Sequence, residues 1–271
     1  MTPDREKVRA TLLSSLEKAG AILKETISER RVVAHKEELS LVTETDRRSE
    51  EAIVQNILMH FPDHAILTEE SPARGKSPYR WIIDPLDGTT NFAHTYPVAC
   101  VSIAFEDHGK ITFGGVFDPF RGELFFAERG RGATLNDVPM VVSSNPTLSE
   151  SLLCTGFPYD RRQNTDQYIA VFKEFMMYVH GVRRSGAAAL DLSHVAAGRL
   201  DGFWENKLRV WDVAAASLLV EEAGGKLSDF SGKPLMISNP ETDWVLQLVA
   251  SNGFIHEEMI KVLKPFRAMG L

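Results

Sequence analysis

Trp81-Ile82-Ile83-Asp84-Pro85-Leu86-Asp87-Gly88-Thr89-Thr90-Asn91-Phe92 is the stretch whose reading decides the fold. Tyr79 to Ile83 is mostly aromatic and β-branched, which reads as a buried strand. A carboxylate, a proline, a second carboxylate and a glycine then end it at Asp84. In open α/β sheets ligands gather outside the carboxyl ends of strands, so Asp84 and Asp87 fall where a substrate or metal would be met. Pro85 fixes its own φ and Gly88 admits angles that a Cβ would forbid, so the turn between the two acids is expected to be rigid. Asp-Pro and Asp-Gly also make ordinary turns, and two acids alone decide nothing.

Accumulation on either side decides it. Upstream, His64 to Leu67 reads as a short strand running into Thr68-Glu69-Glu70-Ser71, which puts Glu69 at another strand's carboxyl end. Asp46 precedes a helical pattern of Ile53, Val54, Ile57, Leu58 and Phe61, closed by Pro62, and reads equally as a plain N-cap. Downstream, Trp211-Asp212 opens a helix closed by Gly224-Gly225, so Asp212 carries the same double reading.

Asp84 to Phe92, together with Trp211-Asp212-Val213-Ala214-Ala215, resembles the two signature motifs of the inositol monophosphatase family. Leu41-Val42-Thr43-Glu44-Thr45-Asp46 and Thr68-Glu69-Glu70-Ser71 fit in that family's order. The resemblance implies an α/β (α+β layered) fold, an α-β-α-β-α sandwich of two α/β halves. It also implies a Mg²⁺-dependent phosphomonoesterase that hydrolyses inositol monophosphate to inositol and phosphate, with two or three Mg²⁺ per active site and Mn²⁺ as a substitute. The ligands it implies are Glu69, Asp84, the Leu86 carbonyl, Asp87 and Asp212. That all-oxygen set suits a hard cation and not zinc. Glu69 and Thr89, aided by Asp46, would orient and deprotonate a water, and Gly88, Thr89, Gly186, Ala187, Ala188, Glu205 and Asp212 would meet the substrate. Lys36 stands near the place of a family lysine. Ser40, Ala187 and Ala216 depart from the family's usual acid, hydroxyl residue and glycine. Homodimers and lithium inhibition are common in the family.

Rival activities of the same superfamily are fructose-1,6-bisphosphatase, histidinol-phosphatase and adenosine 3′,5′-bisphosphate phosphatase. The last more often shows Lys-Glu-Phe where this chain has Thr90-Asn91-Phe92. A reading of another class comes from bacterial relatives that act as partners of the transcription machinery, through RNA polymerase or nucleic acid.

Composition sets the bounds. The 271 residues carry 44% hydrophobic and 25% charged side chains, an ordinary globular balance. A net charge of −7 argues against a general grip on nucleic acid. Cys100 and Cys154 match no zinc spacing or disulfide framework and are expected to be buried thiols. No apolar run approaches the roughly 20 residues of a membrane span, and the charged N-terminus is unlike a signal core, so the chain reads as cytoplasmic.

Thr2-Pro3 suggests the start of a scaffold helix whose stripe is Val8, Leu12, Leu16, Ala19, Leu23 and Ile27. Arg30 to Ser40 reads as a loop or irregular hairpin. Ala99 to Phe105, Ile111 to Phe117, Glu123 to Ala127 and Ala133 to Leu135 suggest an antiparallel meander. His94 has no partner at a recognisable spacing. The polar segment Ser143 to Pro146 suggests a boundary between halves at 1–145 and 146–271. Beyond it the pattern gives a strand at Leu152 to Thr155 and a helix at Tyr168 to Val179. The Arg183-Arg184 connector, an alanine-rich helix and a strand at Asp201 to Glu205 follow. Strands near Leu235 and Trp244 to Leu248 and a helix from about Ile255 to Leu263 complete it.

Overall fold

The computed structural model describes residues 3–28, 33–35, 41–235, 237 and 244–269, so Lys36 and Ser40 lie outside the described residues. Helix α1 (Arg5–Thr26) begins where the Asp4 carboxylate accepts the Glu6 N–H, later than the Thr2-Pro3 pair suggests. Its predicted stripe of Val8, Leu12, Leu16, Ala19 and Leu23 is at most 1% exposed. Strands β1 (Val33–His35) and β2 (Leu41–Thr43) pair antiparallel, and β2 leads directly into α2 (Glu44–His60).

Helices α1 and α2 pack together over one face of a seven-stranded sheet. Its strands run in chain order: β3 (Ala65–Thr68), β4 (Tyr79–Asp87), β5 (Cys100–Asp107), β6 (Lys110–Asp118), β7 (Glu123–Glu128), β8 (Ala133–Leu135) and β9 (Val138–Met140). Only the β3–β4 pair of this sheet is parallel; the rest is antiparallel, with β5 to β8 the predicted meander joined by short turns. A short helix, α3 (Thr89–Ala93), follows β4.

The second sheet has the order β11-β10-β12-β14-β13. These strands are β10 (Leu152–Thr155), β11 (Gly181–Arg183), β12 (Gly202–Arg209), β13 (Lys226–Ser228) and β14 (Trp244–Ser251). Helices α5 (Ala188–Ala196) and α6 (Val210–Glu222) lie between the two sheets and touch both, while α4 (Thr165–Met176) and α7 (His256–Leu263) cover the far side of the second. The layers therefore run α-β-α-β-α, as expected. A helix between two sheets has no solvent face, which is why α6 is apolar almost all round, with Ala214, Ala215 and Ala216 at most 1% exposed. Its backbone comes so near the first sheet that a Cβ on Gly114 would stand 2.6 Å from Ala215 O.

Several expectations need correction. Strand β4 does not stop at Asp84. It continues to Asp87 through a bulge, since Asp84 lies opposite Ser102 but Asp87 lies opposite Cys100. Pro85 has no N–H for the ladder, and the extra residue falls beside it. Strand β12 runs past Glu205 to Arg209 because β14 supplies partners along that length, to Trp244. Glu205 is thus a mid-strand residue. Helix α4 starts and ends three residues before its pattern suggests. Leu235 is in no strand; the short, half-polar β13 takes that edge instead.

Candidate active site

The acids of the motif collect because helix N-termini converge on the end of β4. Asp46 is not the N-cap of α2 but its N3 residue: Thr43 is the cap, and its N–H and hydroxyl donate to Asp46 Oδ2 at 2.8 and 2.5 Å. This capping box fixes the carboxylate and leaves Oδ1 turned inward. There Thr89 Oγ1, in the first turn of α3, stands 3.1 Å away, with Leu86 O at 3.0 Å from the same hydroxyl. Asp212 occupies the matching position in α6, where its Oδ2 accepts the Arg209 N–H at 2.7 Å. Asp87 Oδ2 accepts the Ala189 N–H at 2.7 Å, which ties the end of β4 to the N-terminus of α5. Placing anionic groups at helix N-termini is favourable, because the peptide dipoles leave partial positive charge there.

Gly88 is fixed by geometry. It has φ of 92°, and an added Cβ would lie 2.8 Å from Val98 O and 3.2 Å from the Ala187 Cβ. The entrances to α3 and α5 therefore touch, bringing Gly186, Ala187 and Ala188 beside Gly88 and Thr89. Asn91, whose role the motif did not reveal, holds that junction: its amide donates to Val98 O and Ser185 O, both at 2.8 Å.

Asp84 is 1% exposed, and its Oδ1 accepts the Leu86 N–H at 3.0 Å. Burial first, then Glu69, Asp87 and Asp212, hold its carboxyl well above the usual carboxylate range. Burial and the same neighbours raise Asp212, against the Arg209 N–H and guanidinium. Burial brings Asp87 up to about 6, opposed by the Ala189 N–H. Glu205 is raised by burial and by Asp212, with Arg184 acting the other way. Asp46 too is raised by burial. Cys100 Sγ lies 3.8 Å from Asp87 Oδ2, nearer than a reading without cysteine or histidine anticipates, and burial and these carboxylates push its thiol up.

Like charges gathered this closely call for a cation, and every donor is a carboxylate or carbonyl oxygen, the preference of Mg²⁺. The rim arginines offset part of the charge only. Among the described residues no three His, Cys, Asp or Glu close around one point as a finished shell; the acids face one another as a repelling group. The residues fit a hard divalent cation by their chemistry.

Two further residues escaped the sequence reading. Glu50 Oε2 accepts the Thr68 hydroxyl at 2.6 Å and the Glu70 N–H at 2.9 Å, while Oε1 accepts the Ser71 hydroxyl, so one α2 side chain shapes the turn that carries Glu69. Ser49 Oγ donates to Pro85 O at 2.7 Å and secures the bulge. Their spacing of three and four residues from Asp46, on one helix face, was the available signal. His94 sits exposed past the end of α3.

The sequence profile of the inositol monophosphatase family matches residues 4–265, and the chain belongs to that family. The inositol-1-monophosphatase of Synechocystis sp. is 48% identical over 225 residues, covering 82% of this chain and 76% of the relative. The Nus factor SuhB of Pseudomonas aeruginosa is 45% identical over 261 residues, covering 93% and 94%. The solved inositol monophosphatase of Anabaena (Nostoc) sp. PCC 7120 superposes with a TM-score of 0.82 at 43% identity, covering 93% of each chain.

Proposed function

We propose that the protein is a Mg²⁺-dependent phosphomonoesterase that hydrolyses inositol monophosphate to inositol and phosphate. The observation that carries this is the convergence of Asp84, Asp87, Asp212 and Glu69 on the turn at Gly88-Thr89, with Thr89 hydrogen-bonded to Asp46. The 48% identity to an inositol-1-monophosphatase supports the substrate.

Glu69, Asp84, the Leu86 carbonyl, Asp87 and Asp212 would hold the metal. When bound, Mg²⁺ supplies charge for the phosphoryl and leaving oxygens and a lowered pKa for the attacking water. The chain's own residues do the rest. Thr89 donates its hydroxyl proton to Asp46, which turns its lone pairs to the water; Glu69 orients the same water and accepts its proton. The N–H groups of Gly88 and Thr89 face the phosphate oxygens, and Glu205 reaches the substrate hydroxyls. Water attacks phosphorus as the P–O bond to inositol breaks, the leaving oxygen takes a proton from solvent water, and no phosphoenzyme forms.

The test is phosphate release from inositol 1-phosphate, fructose 1,6-bisphosphate, histidinol phosphate and adenosine 3′,5′-bisphosphate, with Mg²⁺ and Mn²⁺ titrated and lithium added. Mg²⁺-dependent, lithium-inhibited turnover led by inositol 1-phosphate is expected. No turnover by folded protein at saturating Mg²⁺ would overturn the reading. A second reading, association with the transcription machinery, is favoured by the Nus factor SuhB of P. aeruginosa, similar over nearly the whole chain. Mg²⁺-independent recovery of RNA polymerase on the immobilised protein is its expected outcome. In solution a homodimer is expected, which light scattering measures.

A further inference from the structure

Gly156 follows β10 directly and stands beside the strand that carries Glu205, since Thr155 lies opposite Trp204 in the parallel β10–β12 pair. The Glu205 carboxyl group lies against its Cα. A Cβ at Gly156 would fall 2.0 Å from Glu205 Oε2, 2.2 Å from Oε1 and 2.2 Å from Cδ, closer than any real side chain stands. This glycine is not needed for its backbone freedom, because its φ is outside the left-handed region. Close approach is what it supplies. Among the described residues no N–H or O–H group hydrogen-bonds the Glu205 carboxylate, so packing against Gly156 decides where its two oxygens sit.

The chain around Gly156 is held on both sides. Before it, Thr155 Oγ1 donates to Trp204 O at 2.7 Å, and the Trp204 ring stacks on Phe175 with centroids 4.0 Å apart. After it, the Phe157 ring meets Phe172 at 6.0 Å and Pro158 is buried. Further on, Asp160 takes an ion pair from Lys207 Nζ and accepts from the Tyr168 hydroxyl and from Asn164 Nδ2, both at 2.7 Å. Lys207 is two residues past Glu205 on β12, so the segment is tied back to the same strand. With the backbone held in this way, a side chain added at position 156 displaces the Glu205 carboxyl group, the end of a flexible chain.

We infer that Gly156 is a positioning residue for the polyol end of the substrate: by leaving empty the place of a Cβ, it sets the Glu205 carboxylate where ring hydroxyls donate to it. The inference rests on the phosphatase reading, in which Glu205 meets the substrate hydroxyls. The phosphate is met elsewhere in that reading, at the N–H groups of Gly88 and Thr89. A Cβ at position 156 therefore weakens the grip on the organic half and leaves the phosphate half as it was. A side chain with a merely structural role would not separate the two.

The experiment measures kcat and KM for inositol 1-phosphate, the inhibition constant of inorganic phosphate and the melting curve in wild type, Gly156→Ala, Glu205→Ala and the double variant. Gly156→Ala is expected to raise KM about tenfold with a smaller fall in kcat, while phosphate inhibition stays within about twofold of wild type. It should melt within about 3 °C of wild type, since alanine at an ordinary φ also restricts the unfolded chain. In the Glu205→Ala background, adding Gly156→Ala should change KM by less than about twofold, because no carboxylate remains to be displaced. An unchanged KM in Gly156→Ala overturns the inference, and so does a rise of the same size in the Glu205→Ala background. Loss of folding, or phosphate inhibition weakened as much as KM, overturns it in favour of a structural role for the glycine. In each of these cases a wild type that turns over inositol 1-phosphate leaves the phosphatase reading standing. No turnover by folded wild type overturns that reading and this inference with it.

Discussion

Thr89 Oγ1 stands 3.1 Å from Asp46 Oδ1, and the other Asp46 oxygen is already occupied by the Thr43 N–H and hydroxyl. A hydroxyl has one proton, and Leu86 O competes for it at 3.0 Å. The carboxylate is the stronger acceptor, so Thr89 donates to Asp46 and leaves the Leu86 carbonyl for a cation. Thr89→Val and Asp46→Asn are each expected to lower kcat by about 10²-fold or more. Because the two act as one unit, the double variant should lose little more than the worse single variant. Steady-state kinetics on all three, with melting curves to confirm folding, checks this; additive losses would show independent roles.

Glu50 is not among the residues proposed to meet metal or substrate, yet it accepts from Thr68, Glu70 and Ser71 at once. A glutamine turns an N–H₂ toward at least one of those donors. Glu50→Gln should therefore weaken Mg²⁺ binding by roughly 10- to 100-fold, the usual cost of losing a group that orients a ligand. Calorimetric titration of Mg²⁺ measures it, and an affinity equal to wild type would separate Glu50 from the site.

What the sequence disclosed follows from where its signals are local. The stripe of α1 is periodic and the strands from Cys100 to Leu135 are β-rich runs separated by turn residues, so both are written within each element. Asp46, Asp84, Asp87 and Asp212 could be picked out because each lies within a few residues of the end or start of an element. Glu205 was found by resemblance but misplaced at a strand end, since the length of β12 depends on β14, distant in the chain. Glu50, Asn91 and the Lys207–Asp160 pair were not legible: each acts on a segment 21, 94 or 47 residues away. Spacing along α2 put Glu50 on the helix face of Asp46 without naming its partners, and nothing in the sequence announced the other two contacts.

Gly88 carries two constraints at once. Alanine in the left-handed region costs about 1–2 kcal/mol, and forcing its Cβ against Val98 O adds about 1–3 kcal/mol of overpacking. Gly88→Ala is expected to lose about 2–5 kcal/mol of stability, a fall of roughly 4–15 °C in melting temperature for a chain of this size. Calorimetry or thermal circular dichroism reads this directly. A loss below 1 kcal/mol would mean that the turn relaxes away from Val98.

His256 gives the fold a pH dependence of known sign. It is 0% exposed, with Nε2 2.8 Å from Ser228 Oγ and Nδ1 2.9 Å from Ser251 Oγ. Ser228 donates to Asp229 O and so accepts from Nε2–H, which leaves Nδ1 to accept from Ser251. That network suits the neutral ring, and burial with Lys226 nearby lowers the pKa to about 4, against a smaller pull from Glu257. The unfolded chain takes up the proton first as pH falls through the ordinary value near 6.5. Stability from this group is full above that value and is lost as pH falls toward 4, by about 2 kcal/mol at pH 5. Urea unfolding at pH 7.5 and 5 should show a smaller loss in His256→Asn than in wild type. The comparison is needed because the raised site carboxylates act with the opposite sign.

Asp84 sets function against stability. Buried among Glu69, Asp87 and Asp212, its charge destabilises the metal-free fold, and a bound cation would turn the same charge into an attraction. Asp84→Asn keeps an oxygen for the Leu86 N–H and removes the charge. In the presence of a chelator the variant is therefore expected to melt several degrees above wild type, as other active-site neutralisations do. Adding Mg²⁺ should then reverse the order. Wild type gains about 2.7 kcal/mol at a hundredfold excess over Kd, while Asp84→Asn gains little and has lost its turnover. Melting curves with EDTA and across a Mg²⁺ series test both halves. A chelated variant less stable than wild type would show that Asp84 is held by contacts worth more than its repulsion, and an undiminished Mg²⁺ response would remove it from the ligand set.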